Sequence, residues 1–370
     1  MLNNKIAVFI EYYSIGNSPS IINLLDFLSE NYKIDLFLRN VSLKNTDILK
    51  KKNIKIFELG RKRSLSYIIQ KIRSKFIFYQ NFICFDPHAF VLCKELFPAS
   101  KPIYYVLELY LKNDHAGLYY PPVIKHKERK EINNIKGLII QSEEKELLFR
   151  DDYNLSDKIP AFLLPVTYMG KSAKEKSQKI REKYNIDNNK KIALHLGGIA
   201  AWFSCIEIVK VFSELENWVL FFQGHSQKEY LEQLKNVIID NNIKNVIISD
   251  EIYDSLEDVD EIIKSCDIGI AWYNDVSAVF RTVGKSSGKI SAYLRFGLPT
   301  IAKKYPSTTD AIENTGCGIC VDNFDEIKNA ILKIENNYDE YSKNAILEYD
   351  KTYWFENYKK GLTDFLEKSG

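Results

Sequence analysis

The stretch Ser286-Ser287-Gly288-Lys289 brings together residue types that bind an anion without elaborate machinery. The first N–H groups of a helix have no backbone partner, and with the positive end of the helix dipole they hold a phosphate directly. A serine hydroxyl here can cap the helix, Gly288 lets a ligand approach the backbone, and Lys289 adds a cation at the same end. An ordinary capped helix needs no ligand, yet a lysine at a helix N-terminus is unfavourable unless an anion accompanies it. The pattern predicts a helix over Ser286–Phe296, a stop at Gly297 and a strand at Thr300–Ala302.

Other glycine-bearing turns fall at matching places. Strand-like Lys191–Leu196 runs into Gly197-Gly198, and Trp218–Phe222 runs into Gln223-Gly224-His225. In open parallel sheets ligands bind beyond the C-terminal ends of the strands, where such turns lie. In the first half Glu108 stands near the end of the apolar strand Ile103–Leu109, and His115 follows in Lys112-Asn113-Asp114-His115. A carboxylate there can serve as a base or hold a hydroxyl; paired with a neighbouring lysine it is an ordinary loop carboxylate.

The chain has 370 residues, 45% of them hydrophobic, which is long enough for two domains and apolar enough to fold without disulfides. Its six cysteines are scattered among strand-like and helix-like runs and read as reduced, packed thiols. Cys317-Gly-Ile-Cys320 lacks the second pair that a zinc site needs and reads as a structural loop, so no metal or other cofactor is expected. Met1 leads straight into strand-like Lys5–Ile10, so no secretory leader is expected. No apolar run reaches the ~20 residues that span a bilayer, and the expected location is the cytoplasm.

The near-neutral total conceals an asymmetry, since residues 1–165 carry 25 Lys+Arg against 18 Asp+Glu. Much of that excess lies in Lys50–Lys75, interleaved with Leu65, Tyr67, Ile68, Ile69 and Ile72. A basic helix with an apolar face can rest on the inner, anionic face of a membrane or meet a phosphate-bearing acceptor. The simpler expectation is that the isoleucines pack on the protein's own sheet. Nucleic-acid binding is disfavoured, because the basic excess is local and no recognised motif accompanies it.

Along the chain, short apolar runs alternate with helical stretches twice over, the mark of paired α/β domains with parallel sheets. Strands are expected at Lys5–Ile10, Lys33–Leu38, Ile54–Leu59, Phe76–Tyr79, Ile103–Leu109 and Gly137–Ile140, then from Lys191 onward in the second half. The expected division is residues 1–168 as a first domain, a polar linker at 169–190, a second domain at 191–350 and an aromatic amphipathic helix at 351–370.

The second half resembles nucleotide-sugar glycosyltransferases of the GT-B fold, particularly the retaining, family 4-like group that builds bacterial surface polysaccharides. Ser287–Ile301 is similar to that group's small-residue, Lys-Leu, Glu-Tyr-Leu-Ala, Gly-Pro segment. Gly197-Gly198, Phe221–Gly224, Cys266–Ala271 and Gly316–Val321 with Glu313 extend the resemblance, while the first half matches only in layout. The resemblance implies two Rossmann-like domains facing each other across a cleft, with a terminal helix able to cross back. It implies a first domain for a saccharide or lipid-linked acceptor and a second for the nucleotide-sugar donor, and it favours retention over inversion.

By the same resemblance Gly197 and Gly198 face the donor diphosphate, Gly16, Asn17 and Ser18 approach the acceptor, and His115 is similar to a cleft histidine. Together with Ser286, Ser287, Gly288 and Lys289 at the helix start, Gln223 and His225 at a strand end are candidate donor contacts, Tyr253 packs on the base or is an ordinary surface tyrosine, and Glu108 joins His115 as a catalytic candidate. The chain also departs from the group. Ala292 stands where a ribose-binding Glu is usual, Gly284 where its paired Glu falls, and Ala200-Ala201-Trp202-Phe203-Ser204 where cations follow the glycine loop. Arg281, Lys285 and Lys289 are candidates to supply the missing positive charge. A nucleotide-sugar epimerase of this fold, or a two-domain protein that only binds its ligand, are the alternatives.

Overall fold

Two open sheets made only of parallel strands organise the computed structural model, which describes residues 4–368 except 45, 63, 113, 115–120, 250, 252 and 254. The candidate His115 lies outside the described residues. One unit comprises residues 1–167 together with 355–370, and the other residues 168–354. The first carries β1 (Lys5–Glu11), β2 (Lys33–Arg39), β3 (Ile54–Glu58), β4 (Asn81–Phe85), β5 (Ile103–Tyr105), β6 (Gly137–Ile140) and β7 (Ala161–Leu163), ordered β3-β2-β1-β4-β5-β6-β7. Its helices include α1 (Pro19–Asn31), α2 (Leu65–Arg73), α3 (Asp86–Leu96), α4 (Pro122–Glu131) and α5 (Glu143–Tyr153).

The second unit repeats the plan. Its strands are β8 (Lys191–Leu196), β9 (Trp218–Gln223), β10 (Val246–Ser249), β11 (Ile268–Ala271), β12 (Thr300–Lys303) and β13 (Gly318–Val321), ordered β10-β9-β8-β11-β12-β13. α6 (Lys179–Tyr184) precedes them, and between them run α7 (Cys205–Phe212), α8 (Lys228–Asp240), α9 (Leu256–Lys264), a short α10 (Val283–Ser286) and α11 (Gly288–Arg295). Each unit is therefore Rossmann-like, and each sheet reverses its strand order next to its first strand, between β1 and β4 and between β8 and β11. Ligand crevices of open parallel sheets lie at such switch points, beyond the C-terminal strand ends.

Sequence chemistry explains the elements locally. The central strands are buried on both faces, which is why their apolar runs lack a period of two. Ser64, Ser142, Ser255 and Ser287 each precede a helix and accept a backbone N–H from the first turn, of Tyr67, Lys145, Asp258 and Ile290 respectively.

Three expectations need correction. Phe76–Tyr79 is not a strand: the pairing partner of β1 is Asn81–Phe85, and the aromatic run before it is a turn and loop. Residues 169–190 are not a linker, because Ile180 and Ile186 are buried in the second unit's core and Ser172 bonds Asp350. Ile68, Ile69 and Ile72 do not pack on the sheet; α2 turns Tyr67 inward and leaves them in solvent.

The terminal segment belongs to the first unit. Phe355, Leu362, Phe365 and Leu366 join its core, Phe355 meets Phe27 with ring centroids 6.1 Å apart, and the Asn81 side chain donates to the Leu366 carbonyl at 3.1 Å. Gly137 makes room for it, since a Cβ there would lie 2.6 Å from the Phe365 ring. All four tryptophans (202, 218, 272 and 354) fall in the second unit, so their fluorescence reports on that unit alone. Leu366→Ala should destabilise the first unit by about 2–5 kcal/mol, the usual cost of a buried Leu→Ala. In urea titrations the circular-dichroism transition should move to lower denaturant while the tryptophan transition moves less; the opposite pattern would detach residues 355–370 from the first unit.

Candidate functional site

In the second unit the chemistry gathers where β8 and β9 end and α11 begins. Gly197 takes a left-handed φ of 97°, its N–H donates to the Gln223 carbonyl at 2.8 Å, and Ile199 N–H donates to the His225 carbonyl at 2.8 Å. Gly224 is required by close approach, because a Cβ on it would fall 1.7 Å from the Gly197 carbonyl oxygen. The two turns are thus zipped into one surface. Behind it His195 is fully buried, and its Nε2–H donates to the Gly198 carbonyl at 2.9 Å. Burial first, and the Lys289 ammonium second, hold its pKa well below the ordinary histidine value, so the ring is a neutral brace.

Lys289 rises from the first turn of α11 toward this surface. Its side chain is 9% exposed, Nζ has no hydrogen-bond partner among the described residues, and Cε would lie 3.9 Å from a Cβ placed on Gly197. The ammonium sits over the rings of Phe203 and Tyr273, 4.1 and 5.0 Å from their centroids. Those cation–π contacts return part of the desolvation cost, and a bound anion would return the rest. Burial pushes its pKa down to about 8.

The N-terminus of α11 is open. Ser287 caps it by accepting from Ile290 N–H at 3.3 Å and is itself held by the Tyr273 hydroxyl at 2.6 Å, while Gly288 is exposed. Ser286 ends α10 instead and donates to the Thr282 carbonyl at 3.0 Å, so the helix opens two residues later than the pattern predicts. Tyr293 fixes α11 on the sheet: its hydroxyl accepts from Leu196 N–H at 2.8 Å and donates to the Leu194 carbonyl at 3.0 Å.

The fold thus brings Gly197, Gly198, Ser287, Gly288 and Lys289 together. Gln223 is buried beside them, its amide donating to the Glu251 carbonyl at 2.9 Å and its Oε1 unpartnered among the described residues, and His225 is exposed on the adjoining turn. Tyr253 lies past the end of β10, within reach of the Lys183 ammonium at 3.3 Å. Arg281 is committed elsewhere, to Asp275 at 2.6 and 2.7 Å, and Lys285 is exposed on α10. No carboxylate can occupy position 284, where a Cβ would sit 2.1 Å from the Ser307 carbonyl oxygen, and Ala292 is buried.

The first unit assembles a second polar cluster at its own switch point. Tyr12, just past β1, and Asp86, just past β4, have left-handed φ values of 61° and 60°, costly for non-glycine residues. Buried Asp86 accepts from Leu107 N–H at 2.8 Å and Glu108 N–H at 3.1 Å, and from the Tyr13 hydroxyl. Burial raises its carboxyl to about 7. Buried Lys145 donates to the Leu107 carbonyl at 2.9 Å and is pushed down to about 8 by desolvation, with Glu108 and Asp86 opposing.

Glu108 keeps an accessible side chain, yet enough protein surrounds it that desolvation lifts its pKa, against the pull of Lys145. Gly16 and Asn17 lie in the single turn Ile15–Asn17, Gly16 buried and Asn17 exposed, and the Ser18 hydroxyl donates to the Ser14 carbonyl at 2.9 Å. Sequence reasoning missed Tyr12, Tyr13, Asp86 and Lys145. The one available signal was Asp86-Pro87 directly after an apolar strand, the opening of a helix at a strand end.

Lys289 makes stability depend on pH. Below about pH 8 the ammonium is charged in both states and the native one is desolvated, so the group costs stability of order 1–3 kcal/mol. As pH rises from about 8 toward 10.5 the native lysine loses its proton first, the unfolded chain binds more protons, and stability rises. Lys289→Met should therefore be more stable than the parent near neutrality, with an advantage that shrinks over that window; urea titrations at several pH values would show it. An advantage independent of pH would deny the buried charge.

Residues 253–349, within the second unit, match the family model described as glucosyltransferase 3-like, C-terminal domain. No curated protein sequence matches the chain. Among solved structures, HepE of Anabaena in complex with UDP and glucose superposes with a TM-score of 0.73 at 12% identity, covering 98% of this chain and 99% of HepE. A glycosyltransferase from Rickettsia africae gives 0.71 at 13% identity over 100% and 99% of the two chains. Sucrose-phosphate synthase from Thermosynechococcus elongatus gives 0.70 at 13% identity over 98% of each. At these identities the likeness is one of fold: the chain has the GT-B fold, and its second unit carries a stretch similar to the glucosyltransferase 3-like C-terminal domain.

Proposed function

We propose that the protein is a glycosyltransferase that moves a sugar from a nucleoside-diphosphate donor to a saccharide or lipid-linked acceptor, in the making of a bacterial surface glycan and with retention at the anomeric carbon. The observation that carries the donor half is Lys289, a buried cation without a hydrogen-bond partner among the described residues, beside a glycine turn and an open helix N-terminus. That combination suits a diphosphate. UDP-glucose is the first donor to test, because similar structures hold UDP and glucose.

In such a transfer the bond from the anomeric carbon to the diphosphate oxygen breaks and a bond to the acceptor oxygen forms on the same face. The acceptor proton passes to the departing phosphate, so no strong side-chain base is required. The charge developing on the leaving group is what Lys289 and the first N–H groups of α11 would neutralise. Gly197, Gly198, Ser287 and Gly288 would line the diphosphate, with Gln223, His225 and Tyr253 toward the remainder of the donor. In the first unit Glu108, oriented by Asp86 and Lys145, would hold a hydroxyl of acceptor or sugar, alongside Gly16, Asn17 and Ser18. An acceptor on a lipid carrier would bring the enzyme to a bilayer, the contact that the basic Lys50–Lys75 segment suggests.

UDP should raise the melting temperature, by the equivalent of about 2.7 kcal/mol at a hundredfold excess over Kd. Lys289→Ala should weaken UDP binding about tenfold or more in calorimetry, the scale of a lost charged hydrogen bond. No melting shift with any nucleoside diphosphate would remove the donor site. Asp86→Asn should lower transfer while leaving UDP affinity unchanged, since its partners all lie in the first unit; an equal loss of both would argue against a role on the acceptor side. Incubation with UDP-glucose and acceptor extracts separates the alternatives: free UDP that appears only with acceptor supports transfer, an isomerised sugar indicates an epimerase, and unchanged donor indicates a binder.

A further inference from the structure

Six large apolar side chains stand in solvent within one short segment: Leu65 (74% exposed), Ile68 (44%), Ile69 (49%), Ile72 (57%), Phe76 (76%) and Phe78 (81%). The first four recur at helical spacing and form one outward stripe on α2, whose inward residue, Tyr67, is buried with its hydroxyl toward Glu95 at 3.4 Å. Soluble surfaces carry isolated apolar residues as a matter of course, but a continuous stripe marks a site of interaction.

The charge around the stripe identifies what it meets. Residues 60–80 contain Arg61, Lys62, Arg63, Lys71, Arg73 and Lys75 and not one Asp or Glu. Arg73 turns back to Asp35 at 3.5 Å and Lys62 to Glu95 at 3.1 Å, whereas Arg61, Lys71 and Lys75 are exposed and, among the described residues, have no ion-pair partner. Lys50 and Lys51, earlier in the basic run, are tied to Asp47 and Asp26 and add little.

We propose that the α2 stripe with the Phe76–Phe78 turn is a docking surface for an anionic phospholipid bilayer. The apolar side chains enter the headgroup boundary and the flanking cations bind its negative surface, the arrangement of an interfacial amphipathic helix. A second copy of the chain fits poorly, because this face would oppose like charges. A polyanion in water would satisfy the cations and leave the stripe wet. The surface lies wholly in the first unit and stands independently of the donor chemistry.

Flotation of the full-length protein with phosphatidylcholine vesicles, with and without phosphatidylglycerol, tests it. The protein should float only with the anionic vesicles and be released by salt. Lys71→Gln with Lys75→Gln should weaken binding about fivefold for each cation removed. Ile69→Ser with Ile72→Ser should abolish it at unchanged melting temperature, since both positions are exposed. Absence of flotation at low salt, or variants that float like the parent, would overturn the proposal. So would self-association in sedimentation without lipid that the isoleucine variant removes, which would make a second copy the occupant. The UDP-induced melting shift, measured on the same preparations, should persist in every variant, so a failure here is distinct from a failure of the donor site.

Discussion

A buried lysine ammonium, Lys289, without a hydrogen-bond partner among the described residues is the arrangement on which the candidate site of the second unit depends. Desolvation works against it, and the faces of Phe203 and Tyr273 recover only a part. Side chains are not left so unless something holds them. Tyr293 pins α11 to the end of β8, Ser287 shares its hydroxyl between the helix cap and Tyr273, and Gly224 presses against Gly197. Each of these contacts positions Lys289 or the turn it faces, so the unit carries an unfavourable charge in a prepared place, as ligand sites commonly do.

The first unit uses a different expedient at the equivalent position. Backbone strain at Tyr12 and Asp86 turns the chain just past β1 and β4, and buried Asp86 holds the Leu107 and Glu108 amides. Lys145 braces the same loop through the Leu107 carbonyl. Both units place polar chemistry where the strand order reverses, the point at which open parallel sheets commonly offer a crevice beyond their strand ends.

Departures from the resembled family become intelligible in the packed structure. The missing cations after the glycine loop are replaced by Trp202 and Phe203, and Phe203 makes the floor over which Lys289 reaches from another element. The absent carboxylate at Gly284 reflects a helix turn pressed on Ser307. Both departures were legible in the sequence, and so was Lys289 as a replacement cation; the packing that accounts for them was not, because Phe203 and Ser307 lie far along the chain from Lys289 and Gly284. Arg281 illustrates the converse. Its type suited a phosphate, but Asp275, six positions before it, takes its guanidinium.

What the sequence determined by itself was whatever depends on near neighbours: the alternation of strands and helices, the parallel character of buried apolar runs, the serine caps and the glycine turns at strand ends. Those follow from backbone preferences and hydrogen bonds closed within a few residues. What only the tertiary structure decided was coverage. Periodicity placed Ile68, Ile69 and Ile72 on one helix face, yet nothing local says whether another element lies over that face, and among the described residues none does. Polar residues 169–190 looked like a tether until Ile180 and Ile186 were seen in a core, and the terminal aromatics found theirs beside Phe27. Burial is a property of the whole packing, settled by contacts between residues distant in sequence, and so it is also what sets the Lys289 ammonium apart from the many lysines that the surface keeps in water.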